Sequence, residues 1–202
     1  MSATAVRRAL PAERSGVVET VAAAFARDPA WAFILGEDYE ALVEHFARAL
    51  FDVRVARESV WVADDLAAVA MWDLPGQGKA DPQHAKRVWA AYRARAGEAS
   101  FQRLALYNGA VATARPLEAH WYLGVLATHP DRRGRGLAST LLAHTLAEAD
   151  SHGLACCLET STSENRRFYE RRGFTEATDI PLPGGPPTWW LRRAPCIGGH
   201  GR

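Results

Sequence analysis

Lysine is nearly missing from this chain: of its 24 basic residues only Lys79 and Lys86 are lysine, and the other 22 are arginine. Genomic base composition produces such an imbalance as readily as function does, so no mechanism is drawn from it. An excess of one charge is also lacking, since 24 basic against 23 acidic residues leave +1. No stretch carries the unbroken positive field that holds a nucleic-acid backbone, which excludes nucleic acid as an expected partner. Nor is there an apolar run of about 18 residues, or an N-terminal apolar core followed by a small-residue cleavage site. No membrane partner and a cytoplasmic location are therefore expected. Cysteine is scarce and odd in number: Cys156 and Cys157 are adjacent and Cys196 stands alone. That pattern fits reduced thiols better than a disulfide framework. Cys196 and His200 lie in a glycine-rich end (CIGGHGR), which reads as a frayed terminus rather than two ligands, so no metal is expected.

What is present suits one soluble globular unit. The 202 residues are 48% hydrophobic and 23% charged, without an internal repeat, and they are close to one typical domain. Residues 1–194 read as a single domain and 195–202 as a disordered tail. Val6 to Ala9 is a strand candidate. Val17, Val18, Val21 and Phe25 have helical spacing, ended by Asp28-Pro29. A second helix is predicted over Tyr39 to Ala56, then a hairpin of Val60–Ala63 and Ala67–Trp72 joined by Asp64-Asp65-Leu66. Leu74 to Gly78 is a turn-rich exit, and helical patterns return over Pro82–Arg95 and Phe101–Ala114. An apolar strand from His120 to Leu126 leads through a glycine-rich basic loop into a helix of Leu137, Leu141, Leu142 and Leu146. A buried strand Leu154–Leu158, a short helix Asn165–Arg172 and strands near Phe174–Thr178 and Thr188–Arg192 complete a mixed α/β chain.

A glycine-rich turn entering a helix offers free backbone N–H groups and the positive end of the helix dipole, which together make an anion site. Arg132, Arg133 and Arg135 add charge to it. A triphosphate loop needs a Gly-Lys-Ser/Thr ending, and no lysine follows Lys86. A dinucleotide loop needs Gly-x-Gly-x-x-Gly, whereas Gly134-Arg135-Gly136 is followed by Leu137-Ala138-Ser139. The pyrophosphate of coenzyme A remains, beside the plainer reading of a basic turn that caps a helix.

Arg133-Gly134-Arg135-Gly136-Leu137-Ala138 resembles the Gln/Arg-x-x-Gly-x-Gly/Ala motif of the GNAT N-acetyltransferases, in the place that family puts it, between the fourth strand and the next helix. Leu158-Glu159-Thr160-Ser161 with Asn165-Arg166-Arg167-Phe168-Tyr169-Glu170-Arg171-Arg172-Gly173-Phe174 is similar to the family's fifth strand and its Asn…Phe-Tyr-Glu-x-x-Gly-Phe helix. Val60 to Asp65 and Gly185-Pro186-Pro187-Thr188-Trp189 extend the likeness to the puromycin N-acetyltransferases within it, leaving out residues 75–118 and the tail. The resemblance implies an α/β fold with a mixed, mostly antiparallel central sheet of about six to seven strands and helices on both faces.

It also implies an acetyl-CoA-dependent transfer to a primary amine of a small molecule, such as puromycin or a related antibiotic, in a monomer or homodimer. The pyrophosphate would sit on the amides of Arg133 to Ala138 with Arg132 and Ser139 close by. The pantetheine would lie along Val125, Leu126 and Ala127, whose backbone would bind the thioester oxygen, and Asn165 would touch the cofactor or cap its helix. Tyr169 stands where the family has its general acid. A phenol of pKa about 10 lies just above a thiol of about 8.5, so proton donation to a departing thiolate is only mildly uphill. For the base that deprotonates the amine, Glu159 and His120 are the candidates, Glu118 a weaker third, and a water chain an alternative. Trp31 and Phe33, in the connection between the first two helices, border the implied acceptor site, while Trp89 and Tyr92 read as core. Two other readings stay open: a catalytically silent acyl-CoA-binding module, and acetylation of a peptide or protein amine.

Overall fold

The computed structural model describes residues 5–76 and 82–196. Its strands are β1 (Val6–Arg8), β2 (Val60–Ala63), β3 (Ala68–Asp73), β4 (His120–Thr128), β5 (Ala155–Thr160), β6 (Glu176–Ile180) and β7 (Thr188–Arg193). Its helices are α1 (Arg14–Phe25), α2 (Pro29–Leu35), α3 (Tyr39–Val55), α4 (Pro82–Ala114), α5 (Leu137–Ser151) and α6 (Ser163–Glu170). The strands form one sheet in the order β1-β2-β3-β4-β5-β7-β6. Every pairing is antiparallel except β4 with β5, which α5 connects as a crossover. The expected α/β architecture is therefore present, with seven strands.

Two apolar clusters cover the two faces. Val60, Val62, Val69 and Met71 pack beneath α1 to α4, and Trp61, Ala70, Trp72 and Leu123 pack beneath α5, as alternation along a strand requires. No described helix is long and apolar enough to cross a membrane.

One helical boundary differs from the sequence reading. Asp28-Pro29, read only as a stop, is also a start: Asp28 Oδ1 accepts from the Ala30 and Trp31 amides at 3.0 Å each, and Pro29 occupies the first helical turn. Trp31 and Phe33 thus sit on α2, not in a connection. The two helical patterns over 82–114 are present as two helices that meet at a kink within α4, where Gly97 is non-helical (φ 74°, ψ 174°), a conformation that glycine adopts at little cost. Tyr92 and Ser100 bond across that break at 3.2 Å, and Ser100 Oγ donates to the Ile34 carbonyl at 3.1 Å. Cys196 is not frayed, because its amide donates to Asp150 Oδ1 at 2.8 Å; 197–202, with His200, lie outside the described residues, as do Gln77 and Gly78.

Candidate active site

β4 and β5 part company halfway along the sheet. They pair from His120 with Ala155 to Leu123 with Leu158, and beyond that β5 pairs only with β7. From Gly124 to Thr128, β4 has no strand on that side, leaving an edge whose N–H and C=O groups are open to an extended ligand. The split coincides with a bulge: Met71 pairs with Val125 and Trp72 with Leu123, so Gly124 is the extra residue. The bulge reverses the alternation of β4. Tyr122 before it and Val125 and Ala127 after it face α1 to α4, whereas Trp121, Leu123 and Leu126 face α5.

A cavity of about 570 Å³ runs through this split and is lined from both sides. Trp31, Phe46, Trp89 and Tyr107 wall it on the α1–α4 side, and Leu126, Asn165 and Tyr169 reach it from the α5 side. Glu159, the fifth residue of β5, points to the same face as Cys157. Tyr122 Oη lies 2.8 and 2.7 Å from its two carboxylate oxygens and Tyr107 Oη 3.5 Å from one. Burial pushes the Glu159 carboxyl above its ordinary range, and the Tyr122 hydrogen bond opposes that push. Burial first, then the negative charges of Glu159 and Asp28, hold the Tyr169 phenol well above 10. Proton donation by Tyr169 is thus more steeply uphill than ordinary pKa values suggest.

Arg54 of α3 crosses the cavity floor. It is 7% exposed, and its Nη2 lies 2.9 Å from Asp73 Oδ2. A Cβ on Gly124 would lie 2.7 Å from that same Nη2, so any other residue at the bulge would require the end of the arginine to shift.

The glycine loop enters α5 with left-handed Gly134 and Gly136, both at φ 77°, and Gly136 caps the helix without a side chain. The amides of Leu137, Ala138 and Ser139 therefore have neither an intrahelical acceptor nor a side-chain cap. Its arginines are partly engaged. Arg135 pairs with Asp64 at 2.9 Å, Arg132 approaches the same carboxylate at 3.9 Å, and Arg133 donates to the Ala24 carbonyl at 3.2 Å. A hollow of about 560 Å³ beside α5 is lined by Ser139, Arg171 and Arg172, with Arg172 donating to Ser139 Oγ.

The structure brings Tyr169, Glu159, Asn165 and Leu126 to one cavity, while His120 is not brought there. His120 is level with Ala155, three residues before the split, or about 10 Å at strand rise. Its Nδ1 is 2.7 Å from the Glu118 carbonyl, and Glu118 itself is exposed. Thr162, not Asn165, caps α6, accepting from the Asn165 amide at 3.2 Å. Trp31 and Trp89 line the cavity, whereas Tyr92 is core. Sequence reasoning missed Tyr122, Tyr107, Arg54 and Arg172. Only the alternation of the strand from His120 to Leu126 carried any signal for Tyr122.

Residues 84–176 match the acetyltransferase (GNAT) domain, a span that holds the loop, the split and α6. Among solved structures, a Corynebacterium glutamicum protein described as histone acetyltransferase HPA2 and related acetyltransferase is similar at 25% identity and TM-score 0.65, covering 98% of this chain and 99% of that one. The Drosophila melanogaster polyamine N-acetyltransferase, which forms N-acetylagmatine, is similar in fold at 15% identity and TM-score 0.62, covering 95% and 100%. Arylalkylamine N-acetyltransferase 2 of Aedes aegypti shares the fold at 13% identity and TM-score 0.61, covering 98% and 100%. Residues 84–176 are thus similar to a GNAT acetyltransferase domain, and that match together with these structures supports an N-acetyltransferase.

Proposed function

We propose that the protein moves the acetyl group of acetyl-CoA to a primary amine of a small molecule, with Glu159 as base and Tyr169 as acid. The observation that carries this reading is the single cavity through the β4–β5 split, with Glu159 and Tyr169 both on its wall.

The residues fit acetyl-CoA. The open amides of α5's first turn suit a pyrophosphate, Arg171 and Arg172 suit the remaining phosphate-rich end, and the free edge of β4 at Val125 to Ala127 suits an amide-bearing chain. Bound there, acetyl-CoA supplies an activated acyl group. Backbone N–H groups of that edge polarise the thioester oxygen. The Glu159 carboxylate, oriented by Tyr122, takes the proton from the attacking amine, and Tyr169 Oη gives one to the departing sulfur. The walls α2, α3 and α4 enclose the acceptor half, which suits a small molecule better than an extended peptide. The likeness to puromycin N-acetyltransferases makes puromycin the first amine to assay.

The test is mass spectrometry of products from acetyl-CoA with puromycin, polyamines, aminoglycosides, amino acids and short peptides, with free thiol followed in parallel. Tyr169→Phe is expected to lower turnover about 10² to 10⁴-fold while acetyl-CoA binding by calorimetry persists. Undiminished turnover removes Tyr169 from the role, and binding without any acetylated amine overturns the transferase reading.

A further inference from the structure

Ion pairing in the acceptor half of the cavity is incomplete. Three guanidinium groups, Arg54, Arg57 and Arg115, line it against the carboxyl groups of Asp28, Asp73 and Glu159. Each acid already has a partner. Asp28 caps α2, Asp73 pairs with Arg54, and Glu159 accepts from Tyr122. Asp28 and Glu159 are moreover both shifted by burial toward their neutral forms. Among the described residues, Arg57 and Arg115 have no ion-pair partner. Arg57 follows the end of α3, and its Nε is buried without a hydrogen-bond partner. Arg115 follows the end of α4, with its guanidinium 4.5 Å above the Tyr122 ring. That ring's hydroxyl holds Glu159. A cation fixed this way sits beside the place where an amine would lose its proton.

Two guanidinium groups without an ion-pair partner, one of them with a buried and unbonded Nε, disfavour a polycationic acceptor and favour one that brings an anion. The rest of the acceptor wall is aromatic, with Trp31, Phe46 and Trp89. We infer that the acceptor is an amine that also carries a carboxylate, with an apolar or aromatic body between the charge and the wall, as in an amino acid of aromatic side chain. The carboxylate is held by Arg57 and Arg115 and the amine faces Glu159. An aminonucleoside without a carboxylate, such as puromycin, satisfies neither guanidinium and is then the poorer acceptor. The inference rests on the transferase reading above, but not on the identity of any one acceptor.

Paired acceptors that differ only in the carboxylate test it: tryptophan against tryptamine and phenylalanine against phenethylamine, each by kcat/KM with acetyl-CoA. The acid is expected to be preferred by about ten- to hundredfold, the size of one charge-assisted contact. Arg57→Gln should lower that preference about tenfold or more. Arg115→Gln should lower it too and, at an exposed position, keeps the test open should loss of Arg57 impair folding. Equal or better use of the decarboxylated amines overturns the inference and leaves acetyl transfer standing. A preference that survives both variants removes Arg57 and Arg115 from its cause. If no amine is acetylated although acetyl-CoA binds, the transferase reading falls and the inference with it.

Discussion

Replacing Tyr122 by Phe removes the hydroxyl that holds Glu159, and the structure sets the size of the effect. Tyr122 Oη is within 2.8 Å of both carboxylate oxygens, but it has one proton, so the loss is one charge-assisted hydrogen bond. Such bonds contribute about 1.5–3 kcal/mol, and they favour only the ionised carboxylate. The loss of this one therefore moves the Glu159 pKa further up, by less than the whole bond because water can enter the vacated space. The direction follows from opposing causes, since burial raises this pKa and the Tyr122 bond lowers it. A general base works ionised, so its rate falls as pH drops through its pKa, and a raised pKa moves that fall to higher pH. The assay is kcat/KM for native protein and variant with the same acceptor from about pH 5.5 to 9.5, so that the amine's own titration cancels in the ratio. Above both pKa values the ratio of native to variant should be constant, and below both it should settle at a higher value. A flat ratio would refute the reasoning, because Glu159 would then either not be the base or not be governed by Tyr122.

Three further outcomes are expected. Burial raises the folded-state pKa of Glu159, so its ionised form costs stability above the unfolded value of about 4.3 and nothing well below it. Glu159→Gln should therefore raise the melting temperature near pH 8 and change it little near pH 4, by scanning calorimetry, and an equal shift at both would exclude this cause. Arg135→Glu places a second anion beside Asp64, at the mouth of a loop with open amides. Acetyl-CoA affinity should fall about three- to tenfold at low salt and less at high salt, by titration calorimetry, and unchanged affinity would place Arg135 away from the phosphates. Gly124→Ala puts a methyl group 2.7 Å from Arg54 Nη2, and Arg54 is held by Asp73 and the Leu50 carbonyl. Urea unfolding should show a loss of about 1–3 kcal/mol, and a loss below about 0.5 kcal/mol would mean that the guanidinium has another resting place.

What local chemistry decides was legible in the sequence. The hairpin of β2 and β3, the β-branched and apolar run of β4, and the Gly134–Gly136 turn into α5 each declare themselves within a few residues. Asp28-Pro29 was harder, because one residue pair both stops α1 and starts α2, and only the fold shows the second role. The cavity was legible on the cofactor side, where Asn165 and Tyr169 lie on one short helix. It was not legible on the acceptor side. Arg54, Arg57, Arg115 and Tyr107 come from α3 and α4 or from the residues just after them, more than 40 residues from Glu159 in sequence, and nothing in their own neighbourhoods marks them. His120 was misplaced for a related reason. It lies on the correct strand, but a strand of nine residues spans about 30 Å, and only its register with β5 shows which end is open.

That register gives Gly124 a larger part than a missing side chain suggests. A regular β4 would put Tyr122, Gly124 and Leu126 on one face and Leu123, Val125 and Ala127 on the other. The extra residue at Gly124 breaks the series just where the pairing with β5 ends, so Tyr122 looks toward α4 and Glu159 while Leu126 looks toward α5 and Tyr169. One strand thereby lines the cavity from both sides of the sheet. The cofactor-facing and acceptor-facing halves then rest on different elements: Gly134 to Ser139 and α6 on one side, α2, α3 and α4 on the other. Side chains on α3 and α4 can vary without disturbing the loop, the free edge of β4 or Tyr169. On the proposed reading, acceptor choice rests on Arg57, Arg115, Trp31 and Trp89, and the transfer chemistry on the split itself.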